Sequence, residues 1–361
     1  MMKQKILLLF VLLLCCAGTA LAERLLISTD LHISDKGEIQ KTAMEQVLSY
    51  AQQADVLVLM GDLANTGYPR EHAQIVAALE SVDTHQTEVY VLPGNHDLNG
   101  EATPAFFKEC YHAFGYDQAF SMDPGGLSYA VMTRGGTCLL MLDTNAWDEQ
   151  RRTVSHGEIS DHLITWVKET LETLGDTPVL VFGHHPLLPF EGNDVTGNAE
   201  PLVSLLTACN ANIYFSGHRH SNYSLHQGTW RQINVGIPWS YPAYVGLVTL
   251  DQGIRYEAVT VFEERSDVLS MLREESFALA RRMAEGSLEG TQYESDEEAI
   301  AWFLSFFAAS QRGQLKEHAE ELKAQAGYLK WQKAEVRSAV KPWVLNSLEQ
   351  PAEDYHRIVL K

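Results

Sequence analysis

Five apolar runs in this chain stop on residue types that bind metal ions. "LLISTDLH" ends in Asp30-x-His32, "VLVLMGD" in Gly61-Asp62 and "VLPGNHD" in Gly94-Asn95-His96-Asp97. "VLVFGHHP" then ends in Gly183-His184-His185, and "IYFSGHRH" in Gly217-His218-Arg219-His220. Taken singly, each has a plainer reading: Asn and Asp are turn residues, and Asp before a helix is an N-cap. Taken together, at successive strand ends, carboxylates, imidazoles and an amide make a mixed oxygen and nitrogen donor set. That set suits Mn²⁺, Fe or Zn²⁺ rather than Ca²⁺ or Mg²⁺ alone.

The elements that must carry these residues alternate between β-type runs and helical patterns. Strands are expected at 24–29, 55–60, 88–92, 127–133, 137–143, 179–182 and 212–215. Helices are expected at 37–52, 70–83, 104–114, 159–174 and 200–208, with Gly175 closing the fourth as a C-terminal cap. The runs 230–235, 245–251 and 254–262 read as a meander. Such alternation indicates an α/β layered domain of sheets flanked by helices. In an open α/β sheet the carboxyl ends of the strands face one crevice. Residues at i and i+2 leave a strand on the same side, so Asp30 with His32, and His218 with His220, can converge. The Gly ahead of most of these motifs lets the chain turn sharply and approach an ion closely.

Beyond residue 263 Gly and Pro become sparse, and Ala, Glu, Lys, Leu and Arg recur at helical spacing. A helical C-terminal domain is expected over 264–361. Trp302, Phe303, Phe306 and Phe307 fit contacts between its helices. The catalytic domain then occupies 23–263.

Residues 1–22 read as a signal peptide. Lys3 and Lys5 precede the apolar stretch from Ile6 to Cys16, and Ala20-Leu21-Ala22 offers a cleavage site before Glu23. Export to the periplasm or the extracellular space is expected. A retained membrane anchor, or a lipid on Cys15 or Cys16, is the alternative, although the apolar stretch is short for a membrane span. The whole chain carries 27 Lys and Arg against 47 Asp and Glu, a formal charge of −20; without Lys3 and Lys5 it becomes −22. An acidic surface repels phosphate backbones and anionic lipid, so long nucleic acids are unsuited partners. Local positive charge for a phosphate must come from something other than a Lys/Arg patch. Cys110, Cys138 and Cys209 form neither a disulfide framework nor a zinc ribbon.

The ordered motifs D-x-H, G-D, G-N-H-D, G-H and G-H-x-H resemble the calcineurin-like metallophosphoesterase superfamily, from Leu25 to about Phe262. That resemblance implies a layered sandwich of mixed sheets flanked by helices. "GDLANTGYPREHAQIVAALE", "VYVLPGNHD" and "VFGHHPLLP" look most like the bacterial branch of cyclic-nucleotide phosphodiesterases and glycerophosphodiesterases. Asn65 stands where purple acid phosphatases carry a Tyr. Leu187 departs from the second Pro that is frequent in the branch, which puts the finer substrate class in question.

By resemblance, Asp30, His32, Asp62 and His220 hold one transition-metal ion. Asp62, Asn95, His184 and His218 hold a second, with Asp62 bridging. Mn or Fe is favoured, with Zn as the alternative. Two ions about 3.5–4 Å apart lower the pKa of a shared water, whose bridging hydroxide attacks the ester, and supply the missing positive charge. His96 is expected to contact the phosphoryl group and protonate the leaving oxygen. Asp97 is expected to orient the His96 imidazole, with a turn cap as its alternative, and Asn145 and Trp147 either line the substrate side or form an ordinary turn. The reading is an exported phosphodiesterase for cyclic nucleotides or other small phosphodiesters. A phosphomonoesterase or nucleotidase, and a non-catalytic metal-binding adaptor, are the competing readings.

Overall fold

A computed structural model of the chain describes residues 22–99, 101–149, 152–189, 196–336, 338, 340–349 and 357–360. The expected leader lies outside the described residues, apart from Ala22.

Two mixed sheets face each other. The first runs in the order Arg357–Leu360, Ile254–Thr260, Tyr244–Leu250, Glu23–Ser28, Val56–Met60, Glu88–Leu92, and its last three strands are parallel. In the second the order is Tyr223–Gln227, Trp230–Asn234, Ile213–Ser216, Val179–Gly183, Cys138–Leu142, Tyr129–Met132, Ser121–Met122. A separate hairpin pairs Asn145–Trp147 with Thr153–Gly157.

Strand Cys138–Leu142 shows how two cores arise from one alternation. Leu139 and Met141 join the core between the sheets, while Cys138, Leu140 and Leu142 join the one under helices Asp161–Glu172 and Ala199–Ala208. Truncating Leu139 or Met141 to Ala would cost about 2–5 kcal/mol, through lost apolar burial and the cavity left behind. Val56–Met60 is buried at every position. That is the signature of a parallel strand covered on both faces, here by the second sheet and by helices such as Glu38–Ala51 and Pro69–Leu79. Helix Asp161–Glu172 starts where the Ser160 hydroxyl accepts from the Leu163 amide, and Gly175 follows it at φ +57°.

The structure corrects the sequence reading in three places. The runs from 230 to 262 are not one meander: Trp230–Asn234 pairs with Ile213–Ser216 in the second sheet, whereas Tyr244–Leu250 and Ile254–Thr260 pair in the first. Short strands at Ser121–Met122, Asn145–Trp147, Thr153–Gly157 and Tyr223–Gln227 were not anticipated. The region from 264 is not helical to its end, because the aliphatic run Arg357–Leu360 adds an antiparallel strand to Ile254–Thr260. Between them, the helices from Ser266–Leu288 to Val340–Glu349 gather their own core around Trp302, Phe303, Phe306 and Trp331. The first of them also feeds Val268 and Leu272 into the core between the sheets.

Candidate metal centre

Parallel strands Glu23–Ser28, Val56–Met60 and Glu88–Leu92 of one sheet, and Val179–Gly183 and Ile213–Ser216 of the other, end at a common place. The donor-bearing loops follow directly. They pack so closely that side chains are excluded: a Cβ on Gly61 would stand 2.5 Å from the Gly94 amide nitrogen and 2.8 Å from His184 Nδ1. One on Gly94 would strike the Asp62 backbone and carboxylate, and one on Gly217 would strike Thr29 and Asp30. Asp30, His32, Asp62, His218 and His220 all sit at positive φ, between 49° and 69°. Non-glycine residues held there store backbone strain, as is found at ligand clamps.

Asp30 Oδ1 and Asp62 Oδ2 occupy the middle. His220 Nε2 lies 3.3 Å and His32 Nε2 3.9 Å from Asp30 Oδ1. His184 Nε2 lies 3.2 Å and His32 Nε2 3.8 Å from Asp62 Oδ2. The other oxygens are engaged elsewhere: Asp30 Oδ2 accepts from the Thr29 hydroxyl and the His218 amide, and Asp62 Oδ1 accepts from the His96 amide at 2.8 Å. His184 Nδ1 donates to the Met60 carbonyl at 2.9 Å, which aims Nε2 inward.

The donor set fits metal ions on the structure's own terms. Asn95 Oδ1 is buried with no hydrogen-bond partner, and Asp30 Oδ1 and His184 Nε2 are buried with only the facing groups of the cluster near them. Buried polar atoms of this kind are costly unless something else satisfies them. His32 Nε2 and His220 Nε2 face each other at 3.1 Å, a spacing natural to two imidazoles sharing an ion. Burial pulls His32 and His218 down to about 4, which keeps both in the neutral form that coordinates metal. Burial acts the same way on His184, yet the carboxylates of Asp62 and Asp30 override it and push its pKa up to about 10.

Six of the seven expected ligands gather here in overlapping groups, and Asn95 stands in the loop after strand Glu88–Leu92. Asp30, His32 and His220 cluster on one side, Asp30, Asp62 and His184 on the other, and His218 joins His184 and His185. His32 and Asp62 also group with His96, whose ring lies 4.7 Å from that of His32. The Nδ1 of His96 donates to the Asn65 carbonyl at 2.6 Å, which leaves Nε2 for a substrate.

Asp97 departs from its expected part. Its two oxygens accept from the amides of Ala64 and Gly94 at 2.8 and 2.9 Å, so it ties two ligand loops together, and Asn65 rather than Asp97 orients His96. Burial, reinforced by the Asp62 charge, pushes Asp97 up to about 7 against those amide donors. Asn145 donates to Asp143 Oδ1 at 2.8 Å and reaches the Pro93 carbonyl at 3.5 Å, holding the turn that presents Asn95.

Three residues were given no role by the sequence reading. The His185 ring lies tilted beside that of His218, 4.6 Å between centroids, with Nδ1 on the Thr144 hydroxyl; its place after His184 was the available signal. Thr153 donates to the Asn95 carbonyl at 2.6 Å. Trp239 donates to the Asp30 carbonyl at 2.7 Å. Nothing in the sequence pointed to Thr153 or Trp239. Cys110, Cys138 and Cys209 are free.

The chain is 26% identical over 186 residues to glycerophosphodiester phosphodiesterase GpdQ of Enterobacter lignolyticus, covering 49% of this chain and 60% of that one. It is 24% identical over 171 residues to a probable cyclic nucleotide phosphodiesterase of Rhodococcus erythropolis, covering 45% and 51%. The match thus spans about half the length of these curated relatives. A purple acid phosphatase from yellow lupin seeds is similar in structure over 67% of this chain and 52% of its own, with TM-score 0.48 and 14% identity. Residues 23–222, more than half of the chain and all of the ligand-bearing strand ends, match the calcineurin-like phosphoesterase family, and the chain belongs to that family.

Proposed function

We propose that this chain is an exported phosphodiesterase that hydrolyses small phosphodiesters, cyclic nucleotides among them, at a centre of two transition-metal ions. The observation that carries the reading is the placement of Asp62 Oδ2 between His184 Nε2 at 3.2 Å and His32 Nε2 at 3.8 Å, where one carboxylate oxygen can serve both sides. The names of the similar proteins, a glycerophosphodiester phosphodiesterase and a probable cyclic nucleotide phosphodiesterase, favour a diester. Mn or Fe suits the donors best, with Zn as the alternative.

Two ions, when bound, would lower the pKa of a shared water, orient the ester and neutralise its phosphoryl oxygens. The chain supplies the rest. Water adds to phosphorus and gives up a proton, the ester P–O bond breaks, and His96 Nε2 hands a proton to the leaving oxygen; the proton released by the water restores His96 through solvent, and an alcohol and a monoester result. The Asn65 carbonyl fixes the His96 ring, and Asp97 keeps its loop against that of Asp62. Beyond any ions, Arg219 is the one cation in the motif loops, which suits a singly charged diester better than a monoester dianion.

Export rests on Lys3, Lys5 and the apolar stretch that follows them. Among the described residues no helix is long and apolar enough to cross a membrane.

Metal analysis of the purified protein, followed by paired nitrophenyl diester and monoester substrates and then nucleotides under Mn²⁺, tests the proposal. Two ions per chain, a higher kcat/KM for diesters and loss of turnover with a chelator are expected. A clear monoester preference would support a phosphatase instead, and no turnover with both ions present would support a binding protein.

A further inference from the structure

A groove of about 940 Å³ opens between the start of helix Pro104–Cys110, the turn at 124–127 and the hairpin Asn145–Trp147/Thr153–Gly157. Leu98, two residues beyond His96, forms part of its wall. On the hairpin side, Trp147 pairs with Thr153, and the Thr153 hydroxyl donates to the Asn95 carbonyl at 2.6 Å. Residues opposite each other in an antiparallel pair lie about 4.5–5.5 Å apart. Trp147 is thereby held one strand from the ligand loop.

The groove is too large for a small alcohol. Ligand pockets run from about 300 to 1,000 Å³, so this one lies at the upper end, and a three-carbon alcohol would leave most of it to water. Its chemistry is also specific. Trp147 is 40% exposed, whereas Trp166, Trp230, Trp302 and Trp331 are all buried. An exposed indole beside Leu98, Leu127 and Pro124 is a surface on which a flat ring can stack. Two cations line the groove together with the carboxylates of Glu101, Asp143 and Asp148. Arg152 is engaged by Asp148 at 2.8 Å, while Lys108 has no ion pair among the described residues. On so acidic a chain, an unengaged lysine in a groove selects for a negative group.

We propose that this groove holds the organic half of the ester and that the half is a nucleotide, its base stacked on Trp147 and a further phosphate directed to Lys108. The proposal rests on the phosphodiesterase reading for the fate of the bound molecule, but not for its binding.

The test compares wild type, Trp147→Ala, Trp147→Phe and Lys108→Ala in the full chain with Mn²⁺. The substrates are glycerophosphoethanolamine, the dinucleotide ApA and its 5′-phosphorylated form pApA. Trp147→Ala should raise KM for ApA and pApA by about tenfold, the scale of a lost base–aromatic contact. It should leave kcat within a factor of about two and glycerophosphoethanolamine unaffected, and Trp147→Phe should restore most of the loss. Lys108→Ala should raise KM for pApA alone. Calorimetric binding of ApA to chelator-treated protein, where turnover cannot contribute, should weaken in parallel for Trp147→Ala. Equal losses on all three substrates, or unchanged ApA binding in Trp147→Ala, would overturn the assignment. Wild-type protein that binds ApA through Trp147 but hydrolyses no diester would uphold the groove and refute the phosphodiesterase reading.

Discussion

The indole N–H of Trp239 donates to the backbone carbonyl of Asp30 at 2.7 Å, and the same ring stands edge-on to His32 and His220, 6.2 and 6.0 Å away. One side chain from a distant loop thus touches three residues of one ligand group. Two residues on, the Tyr241 hydroxyl accepts from Arg312 at 3.1 Å, so the helical region reaches the loop that carries Trp239. Trp239→Phe keeps a ring and removes the donor. It should weaken metal retention about tenfold, the effect of losing an outer-shell partner. Elemental analysis after competition with a graded chelator measures this; retention equal to wild type would show that the bond does not position Asp30.

Asp62→Asn should empty both sides of the centre, because its Oδ2 lies close to His184 and His32 alike. Asn95→Ala and His184→Ala should each weaken mainly one side. Gly94→Ala should lose metal as well, since its Cβ would strike the Asp62 backbone. Ions counted per chain decide the matter: two ions and full activity in Asp62→Asn would refute bridging.

His96→Ala should keep its metal and lose turnover by about 10²–10⁴-fold, the contribution of a positioned proton donor. The loss should shrink for an ester whose leaving group needs no proton. If this variant instead loses an ion, His96 is a ligand.

His72 is wholly buried, with Nδ1 2.9 Å from the Tyr111 hydroxyl and Nε2 3.0 Å from the Asp97 carbonyl. Burial holds its pKa below the ordinary 6.5. The unfolded chain therefore takes up this proton first as pH falls. Stability from His72 is full above pH 6.5 and declines as pH drops through 6.5 toward the folded value. Urea midpoints at descending pH should fall more steeply for wild type than for His72→Gln. Parallel curves would place the acid sensitivity elsewhere.

What the sequence determined by itself was local. Runs such as "VLVLM" and "VYVL" set strands because their apolar residues are continuous and β-branched, and the Gly-led motifs after them fixed where donor atoms could emerge. The donor-bearing residue types that gather at the candidate centre were therefore readable, as was the helical character of much of 266 to 349.

Tertiary structure decided whatever depends on residues meeting across the chain. Strand Trp230–Asn234 looks in sequence like its neighbours, and only the space beside Ile213–Ser216 assigns it to the second sheet. Arg357–Leu360 finds its partner about a hundred positions earlier, at Ile254–Thr260. Asp97 lies next to His96 in sequence, yet the amides of Ala64 and Gly94 claim both its oxygens, because a buried carboxylate goes where donors converge. The positive φ angles at Asp30, His32, Asp62, His218 and His220 carry no sequence signal in residues other than Gly. They exist because close-packed loops over-determine the backbone there. Trp239 lies 209 positions from Asp30, a separation that no local pattern can bridge, and the folded chain alone joins them.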